Sequence, residues 1–219
     1  MKLTPGENVS AIVRVLEEPK TTSVGDRTLV IAKVSDAENI TNLIAWDAET
    51  KRWNLSKGDL AEVTLGLCPR STNRNQPPTI EMTEETGIKK VTMVFPSIEE
   101  CMRTRFLDEV SDYEYVIAEG FIVEVYSTVS HYCEECGLSE NGGCECEAPV
   151  REVFRIDGVL SDGTRALHFS TLSERVAEDL SQTMKKDAVS LNPQNLMRTP
   201  CRILGYLRDG RLYVEEVLE

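Results

Sequence analysis

Ala166-Leu167-His168-Phe169-Ser170-Thr171-Leu172-Ser173-Glu174 is a short strand that runs directly into a helix start. Leu167 and Phe169 alternate with polar neighbours, as in a half-buried strand. Thr171 is followed three residues later by Glu174, the spacing of a capping box, so a helix is expected to begin there. Working outward, Val116–Tyr126 and Val153–Leu160 precede this stretch as strands. Cys201–Tyr206 and Arg211–Val217 come after it, each an apolar or alternating run bounded by turn residues. The second half therefore reads as five strands with a helix between the third and fourth.

The first half repeats the count. Val9–Leu16, Leu29–Ser35, Leu43–Trp46, Leu60–Gly66 and Thr79–Met82 read as strands, and a helical segment around Ala48–Leu55 stands in the same place. Five strands with a helix between the third and fourth is the order of an OB barrel. Two weakly similar halves are more economical than one ten-strand sandwich, which is the structural alternative. Between them Ser97-Ile98-Glu99-Glu100 forms a second capping box, and Ile98, Met102, Phe106 and Val110 recur every fourth residue. The expected fold is all-β with short helices: two tandem five-stranded OB-fold barrels, the second carrying an inserted zinc ribbon. Residues 1–90 are the first domain, 91–112 a connector with a helix over 97–110, and 113–219 the second domain, with the ribbon at 131–147.

The ribbon rests on cysteine spacing. Seven cysteines occur in 219 residues, and four crowd between Cys133 and Cys146. His131-Tyr132-Cys133-Glu134-Glu135-Cys136, then Gly142-Gly143-Cys144-Glu145-Cys146, is a C-x2-C knuckle followed by C-x-C. Cys133, Cys136, Cys144 and Cys146 could close a tetrahedral zinc site, with the glycine-containing segment between the pairs supplying the turn. A redox pair or surface thiols are the alternatives, but a redox site needs only two cysteines. Four protein ligands leave no position for water, so the zinc is expected to be structural. C-x-C is tighter than the usual spacing and leaves His131 as a reserve ligand. Cys68, Cys101 and Cys201 read as buried small hydrophobes.

Composition is ordinary for a globular protein, with 41% hydrophobic and 28% charged residues, and no apolar run is long enough to cross a bilayer. Residues 1–10 lack the continuous apolar stretch of a secretory signal, so a cytoplasmic, nucleoid-associated protein is expected. The net charge of -13 is unevenly spread. Residues 1–90 carry 12 Lys and Arg against 13 Asp and Glu, whereas 91–219 carry 12 against 24. Phosphate would be repelled by the second half except where its arginines cluster, so a nucleic-acid groove is expected in the first.

Single strands are held by cations that track the backbone and by aromatic faces on which bases stack. The first half supplies Arg14, Lys33, Trp46, Arg52, Trp53, Arg70 and Arg74 as candidates. The loop Arg70-Ser71-Thr72-Asn73-Arg74-Asn75-Gln76 is polar, basic and free of carboxylates, and it falls between the fourth and fifth strands, where OB folds bind oligonucleotides. Each Trp alone serves a core as readily as a ligand. In the second half Tyr126, Phe154, Arg165 and Phe169, with Tyr132, Arg151, Arg155, Arg208 and Arg211, could form a weaker face, although alternation lets at most half of them share it. His168 reads as structural.

Taken in order, these features resemble the archaeal replication protein A family and the zinc-bearing OB domain of the eukaryotic large subunit. In that family a zinc ribbon is inserted between the first and second strands of one OB fold, and here Cys133–Cys146 falls between Val116–Tyr126 and Val153–Leu160. Asp162-Gly163-Thr164 resembles the family's turn between strands two and three. In the first half Ser35-Asp36-Ala37-Glu38-Asn39 lacks the glycine, while Leu43-Ile44-Ala45-Trp46 and Lys57-Gly58-Asp59-Leu60 resemble the segments after that turn in the family. The resemblance spans nearly the whole chain. It implies a single-stranded DNA-binding protein of replication, repair or recombination. Its partners would be other replication and repair proteins or replication protein A-type subunits, met through the acidic second domain. No glycine-rich phosphate loop or G-x-S-x-G elbow is present, so no enzymatic activity is expected. The alternative is a protein-interaction OB subunit with little DNA binding of its own.

Overall fold

The computed structural model describes residues 3–70, 77–133, 137–139, 149–183 and 200–218. It divides into two compact units. The first runs to Arg103 and includes Tyr113–Tyr115, and the second comprises Thr104–Asp112 and the chain from Val116 onward. The stretch read as a connector is thus shared between them.

In the first unit the strands are β1 (Asn8–Val15), β2 (Lys20–Val24), β3 (Arg27–Ser35), β4 (Ile40–Trp46), β5 (Leu60–Leu67), β6 (Thr79–Met82) and β7 (Gly87–Lys90). Their order is β1-β3-β4-β6-β5, and β5 pairs back onto β1, which closes the barrel. β4 and β6 are parallel while the other barrel pairs are antiparallel, the order of an OB barrel. Alternation explains the register. Val13 and Val15 of β1, Val30, Ala32 and Val34 of β3, Leu43 and Ala45 of β4, Ala61 and Val63 of β5, and Ile80 and Met82 of β6 point inward into one buried cluster. The β3–β4 turn works without the glycine: Ala37 adopts φ 83°, and the Asp36 carboxylate accepts from the Glu38 and Asn39 amides.

Two strands of this unit escaped the sequence reading. β2 pairs only with β3, through a two-residue loop in which Gly25 takes φ 62°, as the first central position of a type II′ turn requires. Exposed on every residue, β2 has no apolar alternation to betray it. β7 adds to the other side of β5. The helix expected at Ala48–Leu55 is a 3-10 helix over Asp47–Arg52.

The helix expected over 97–110 is one turn, α1 (Ile98–Cys101), whose capping box between Ser97 and Glu100 is formed as read. Beyond it, the Arg105 amide donates to the Ile117 carbonyl at 2.8 Å and the Leu107 amide to the Asp162 carboxylate at 2.6 Å. Those donors are spent on the second unit instead of on carbonyls four residues back, so the helix stops. Of the every-fourth stripe only Val110 is buried, beside Cys101 and Leu107 from outside it, while Phe106 is 56% exposed.

The second unit holds β8 (Glu114–Cys133), β9 (Gly137–Ser139), β10 (Val150–Ser161), β11 (Ala166–Thr171), α2 (Glu174–Thr183), β12 (Pro200–Arg208) and β13 (Arg211–Leu218). Its order β10-β11-β13-β12-β8 closes by a β10–β8 pairing, and β11 and β13 are parallel. This is the same barrel order as in the first unit, with β9 as an added edge. Val116, Ala118, Ile122, Ile156, Leu160, Leu167, Ile203, Leu207 and Val214 fill it, and α2 adds Val176, Ala177 and Leu180. The helix cap is Ser173, whose hydroxyl accepts from the Val176 amide, and not Thr171, whose hydroxyl accepts from the Ile156 amide within the sheet. Cys68, Cys101 and Cys201 are buried, and burial pushes the Cys201 thiol up to about 11. Among the described residues no helix is long and apolar enough to cross a membrane.

Candidate nucleic-acid interface

Because Val30, Ala32 and Val34 point inward, Leu29, Ile31 and Lys33 point outward from β3. Their cross-strand partners on β4 are Trp46, Ile44 and Asn42. β2 extends this outer face, with Lys20 opposite Ile31 and Thr22 opposite Leu29. At one end the face is closed, for Asn42 is 2% exposed and its amide donates to the Tyr115 hydroxyl at 3.0 Å. The other end is open around Trp46, next to the β2–β3 hairpin. The corresponding loops and strands of OB barrels are where oligonucleotides bind.

Arg27, which sequence reasoning did not single out, lies over the Trp46 ring with its guanidinium carbon 4.4 Å from the centroid. It sits diagonal to Trp46, two residues before Trp46's partner Leu29, so the two side chains share a face. Asp47 holds it there: Arg27 Nε donates to Asp47 Oδ2 at 2.8 Å, and Asp47 Oδ1 accepts the Thr28 amide at 2.9 Å. The Arg27 hydrogen bond, reinforced by that of Thr28, holds the Asp47 carboxyl below its ordinary range. Glu81 of β6, opposite Ile44, is a second carboxylate within the field of Arg27, although burial raises its pKa. The Gly25-Asp26 pair between Thr- and Val-containing runs was the signal that could have placed Arg27 on a hairpin.

Several expected contacts are committed elsewhere. Arg14 donates from Nε to the Pro96 carbonyl at 2.6 Å, from Nη1 to that of Gly58 at 2.8 Å and from Nη2 to that of Phe95 at 3.4 Å, so it ties the end of the first unit to β1. Arg52 binds the Glu49 carboxylate and the carbonyls of Thr83, Glu84 and Thr86, stapling the 3-10 helix to a turn. The Lys33 side chain is 14% exposed, with its ammonium 3.9 Å from the Glu17 carboxylate. Trp53 packs on the core and donates from Nε1 to the Leu55 carbonyl at 3.0 Å. These four are structural, since their donors or faces are used within the fold. Arg70 is exposed, with its guanidinium over Gly6. Arg74 lies outside the described residues.

In the second unit Phe169 is 2% exposed and belongs to the core, so its ring has no face for a base. Phe154 is half-buried against that core. Arg155 and Arg208 are buried, and Arg155 donates from Nε to the Thr171 carbonyl. Arg165 is exposed on the β10–β11 turn. Tyr126, 54% exposed, meets His168 with ring centroids 5.6 Å apart, so the histidine read as structural is half of an exposed aromatic pair. Cys133 ends β8, buried, and pairs with Gly137 of β9. His131 is 3.9 Å from Glu152. Cys136, Cys144 and Cys146 lie outside the described residues.

No family model matches the chain, and no curated protein matches it. Solved structures do. A replication protein A heterotrimer bound to ssDNA is 14% identical, with 93% of this chain and 45% of that chain covered and a TM-score of 0.36. A murine DNA binding protein bound with ds DNA is 11% identical, with 96% and 95% covered and a TM-score of 0.44. p202 HIN1 in complex with 12-mer dsDNA is 10% identical, with 100% and 96% covered and a TM-score of 0.43. At such identities and scores these superpositions decide neither the ligand nor the fold, which rests on the strand order.

Proposed function

We propose that this chain is a non-enzymatic single-stranded DNA-binding protein of the replication protein A type, and that its first barrel carries the strand on the open face around Trp46. The observation that carries the reading is the placement of a partly exposed indole, with a guanidinium over it, on the outer face of β3–β4 beside the β2–β3 hairpin. A base can stack on an indole whatever its identity, and the cations Arg27 and Lys20 of the same outer face suit a phosphate backbone better than a base edge. Unpaired bases are needed for stacking, so single strands should be preferred to duplex. The test is a titration of labelled oligo-dT against labelled duplex of the same length, read by fluorescence anisotropy of the nucleic acid, with Trp46→Ala as control. Preference for single strands, lost in the variant, is expected. Equal affinity for both ligands would overturn the proposal.

The second unit has a structural zinc in this reading. β8 and β9 pair with Cys133 opposite Gly137, the residue that follows Cys136 in the chain. Val150, opposite Cys133 on its other side, lies four residues beyond Cys146. The C-x2-C and C-x-C spacing supports a knuckle with Cys133, Cys136, Cys144 and Cys146 as ligands and His131 in reserve. The bound zinc would supply folding free energy to the segment that carries its ligands. Metal content by mass spectrometry tests this, with one zinc per chain expected and none in Cys136→Ser. The acidic balance of residues 91–219, with 12 cations against 24 carboxylates, suits contact with other replication proteins through this half.

A further inference from the structure

We infer that Asp47 is a positioning residue for the proposed strand-binding site, holding Arg27 over the Trp46 ring so that the guanidinium is aimed at a phosphodiester of the strand that stacks there. The inference rests on the reading of the Trp46 face as the strand site. A guanidinium has five N–H donors in a planar fork. In Arg27 the Nε edge is taken by Asp47 and one face by the indole, while among the described residues neither Nη donates a hydrogen bond. The side chain is half-exposed. Its remaining edge is therefore the one left for a ligand, and its shape suits two oxygens of one phosphate.

The backbone shows that the arrangement is held from both sides. Asp47 comes directly after Trp46 and adopts φ 44°, a left-handed conformation that Asp and Asn tolerate better than other side-chain-bearing residues. That conformation places one carboxylate oxygen on the Thr28 amide and the other on Arg27 Nε. The cation is thus fixed relative to the indole by a strand end, a tight hairpin and a carboxylate. Fixing it beforehand lowers the ordering cost of the phosphate contact.

The sign of one substitution separates positioning from bulk electrostatics. Asp47→Asn keeps the oxygen that accepts from Thr28 and tolerates the same φ, but removes the charge that orients Arg27. Loss of a negative charge beside a polyanion should by itself tighten binding. If Asp47 positions Arg27, binding to oligo-dT weakens instead, by about fivefold or more. The slope of log affinity against log salt then falls by about one, as for one lost phosphate contact. Arg27→Lys, which keeps the charge but not the fork or the stacking, should weaken binding to a similar degree. Both full-length variants should unfold in urea at the midpoint of the parent and, in the free protein, show altered Trp46 emission as the guanidinium leaves the ring. Tighter or unchanged binding by Asp47→Asn, or undiminished affinity in Arg27→Lys, would overturn the inference while leaving the strand-binding reading intact. Failure of the parent chain to bind oligo-dT would instead overturn the strand-binding reading, and the inference with it.

Discussion

Replacing Arg14 with Met separates a structural cation from a phosphate-binding one. The substitution keeps an unbranched stem against β1 and removes three donors that reach the carbonyls of Pro96, Gly58 and Phe95, at 2.6, 2.8 and 3.4 Å. It also removes a guanidinium lying 5.7 Å from the centre of the Phe95 ring. Hydrogen bonds to a charged group contribute roughly 1.5–3 kcal/mol each, but these are partly buried and water can reach the freed carbonyls. Two good bonds at a discounted strength give an expected loss of about 2–3 kcal/mol. Both tryptophans, Trp46 and Trp53, lie in the first unit, so indole fluorescence during urea unfolding reports that unit alone. With a slope of about 1.5 kcal/mol per molar urea, the midpoint should fall by about 1.3–2 M. The salt dependence of oligo-dT binding, measured below the transition, should keep its slope. An unmoved midpoint together with a slope reduced by about one would show that Arg14 faces phosphate, and would refute its assignment as a tie.

Phe169→Ala should lower the stability of the second unit by about 3–5 kcal/mol, because a fully buried ring leaves a cavity, yet leave oligo-dT quenching of the first unit unchanged. Hydrogen exchange resolved by unit reads both. Gly158→Ala puts a methyl group against the Glu124 carbonyl and the Phe169 ring at a β8–β10 irregularity, so the same exchange measurement should show β8 and β10 opening at least tenfold more often than in the parent, roughly the effect of 1.4 kcal/mol. Asp59 is held below its ordinary value of 3.8 by its hydrogen bond from Lys90, helped by the Ser56 amide. A carboxyl depressed on folding adds stability that is fully present above that ordinary value and is lost as pH falls through the lowered one. Acid titration of unfolding should therefore show a loss of stability below about pH 4 that is smaller in Asp59→Asn. An identical acid limb in the variant would remove Asp59 from the account.

Alternation of apolar residues was enough to find β1, β3, β4, β5 and β6, because a barrel wall with one face in its core writes its period into the chain. Alternation or a short apolar run found β8, β10, β11, β12 and β13. Local chemistry was also legible where it is truly local: Ser97 and Glu100 form the capping box that their spacing announces. What the helical stripe over 97–110 could not show is that Arg105 and Leu107 give their amides to Ile117 and Asp162, residues on or beside other strands. β2 stayed hidden because a strand exposed on both faces buries nothing and needs no pattern.

The candidate site divides along the same line. From the residues alone a cluster of arginines and aromatics is a set of possible ligand contacts, and Trp46 and Arg70 keep that standing. Arg14 and Arg52 do not, since the donors of a guanidinium are consumed by backbone carbonyls from distant turns. Phe169 does not, since one residue of register decides between the core and the outer face. Arg27 and Asp47 were passed over for the converse reason: twenty residues apart in sequence, they meet only because the β2–β3 hairpin and the end of β4 are folded onto one edge. The period of most strands, the cysteine spacing and the charge asymmetry depend on neighbours in the chain, so they can be read before any fold is known. Which cation remains open to a ligand depends on partners far away in the chain, because a hydrogen bond between distant residues is a property of the closed barrel and of no shorter piece of it.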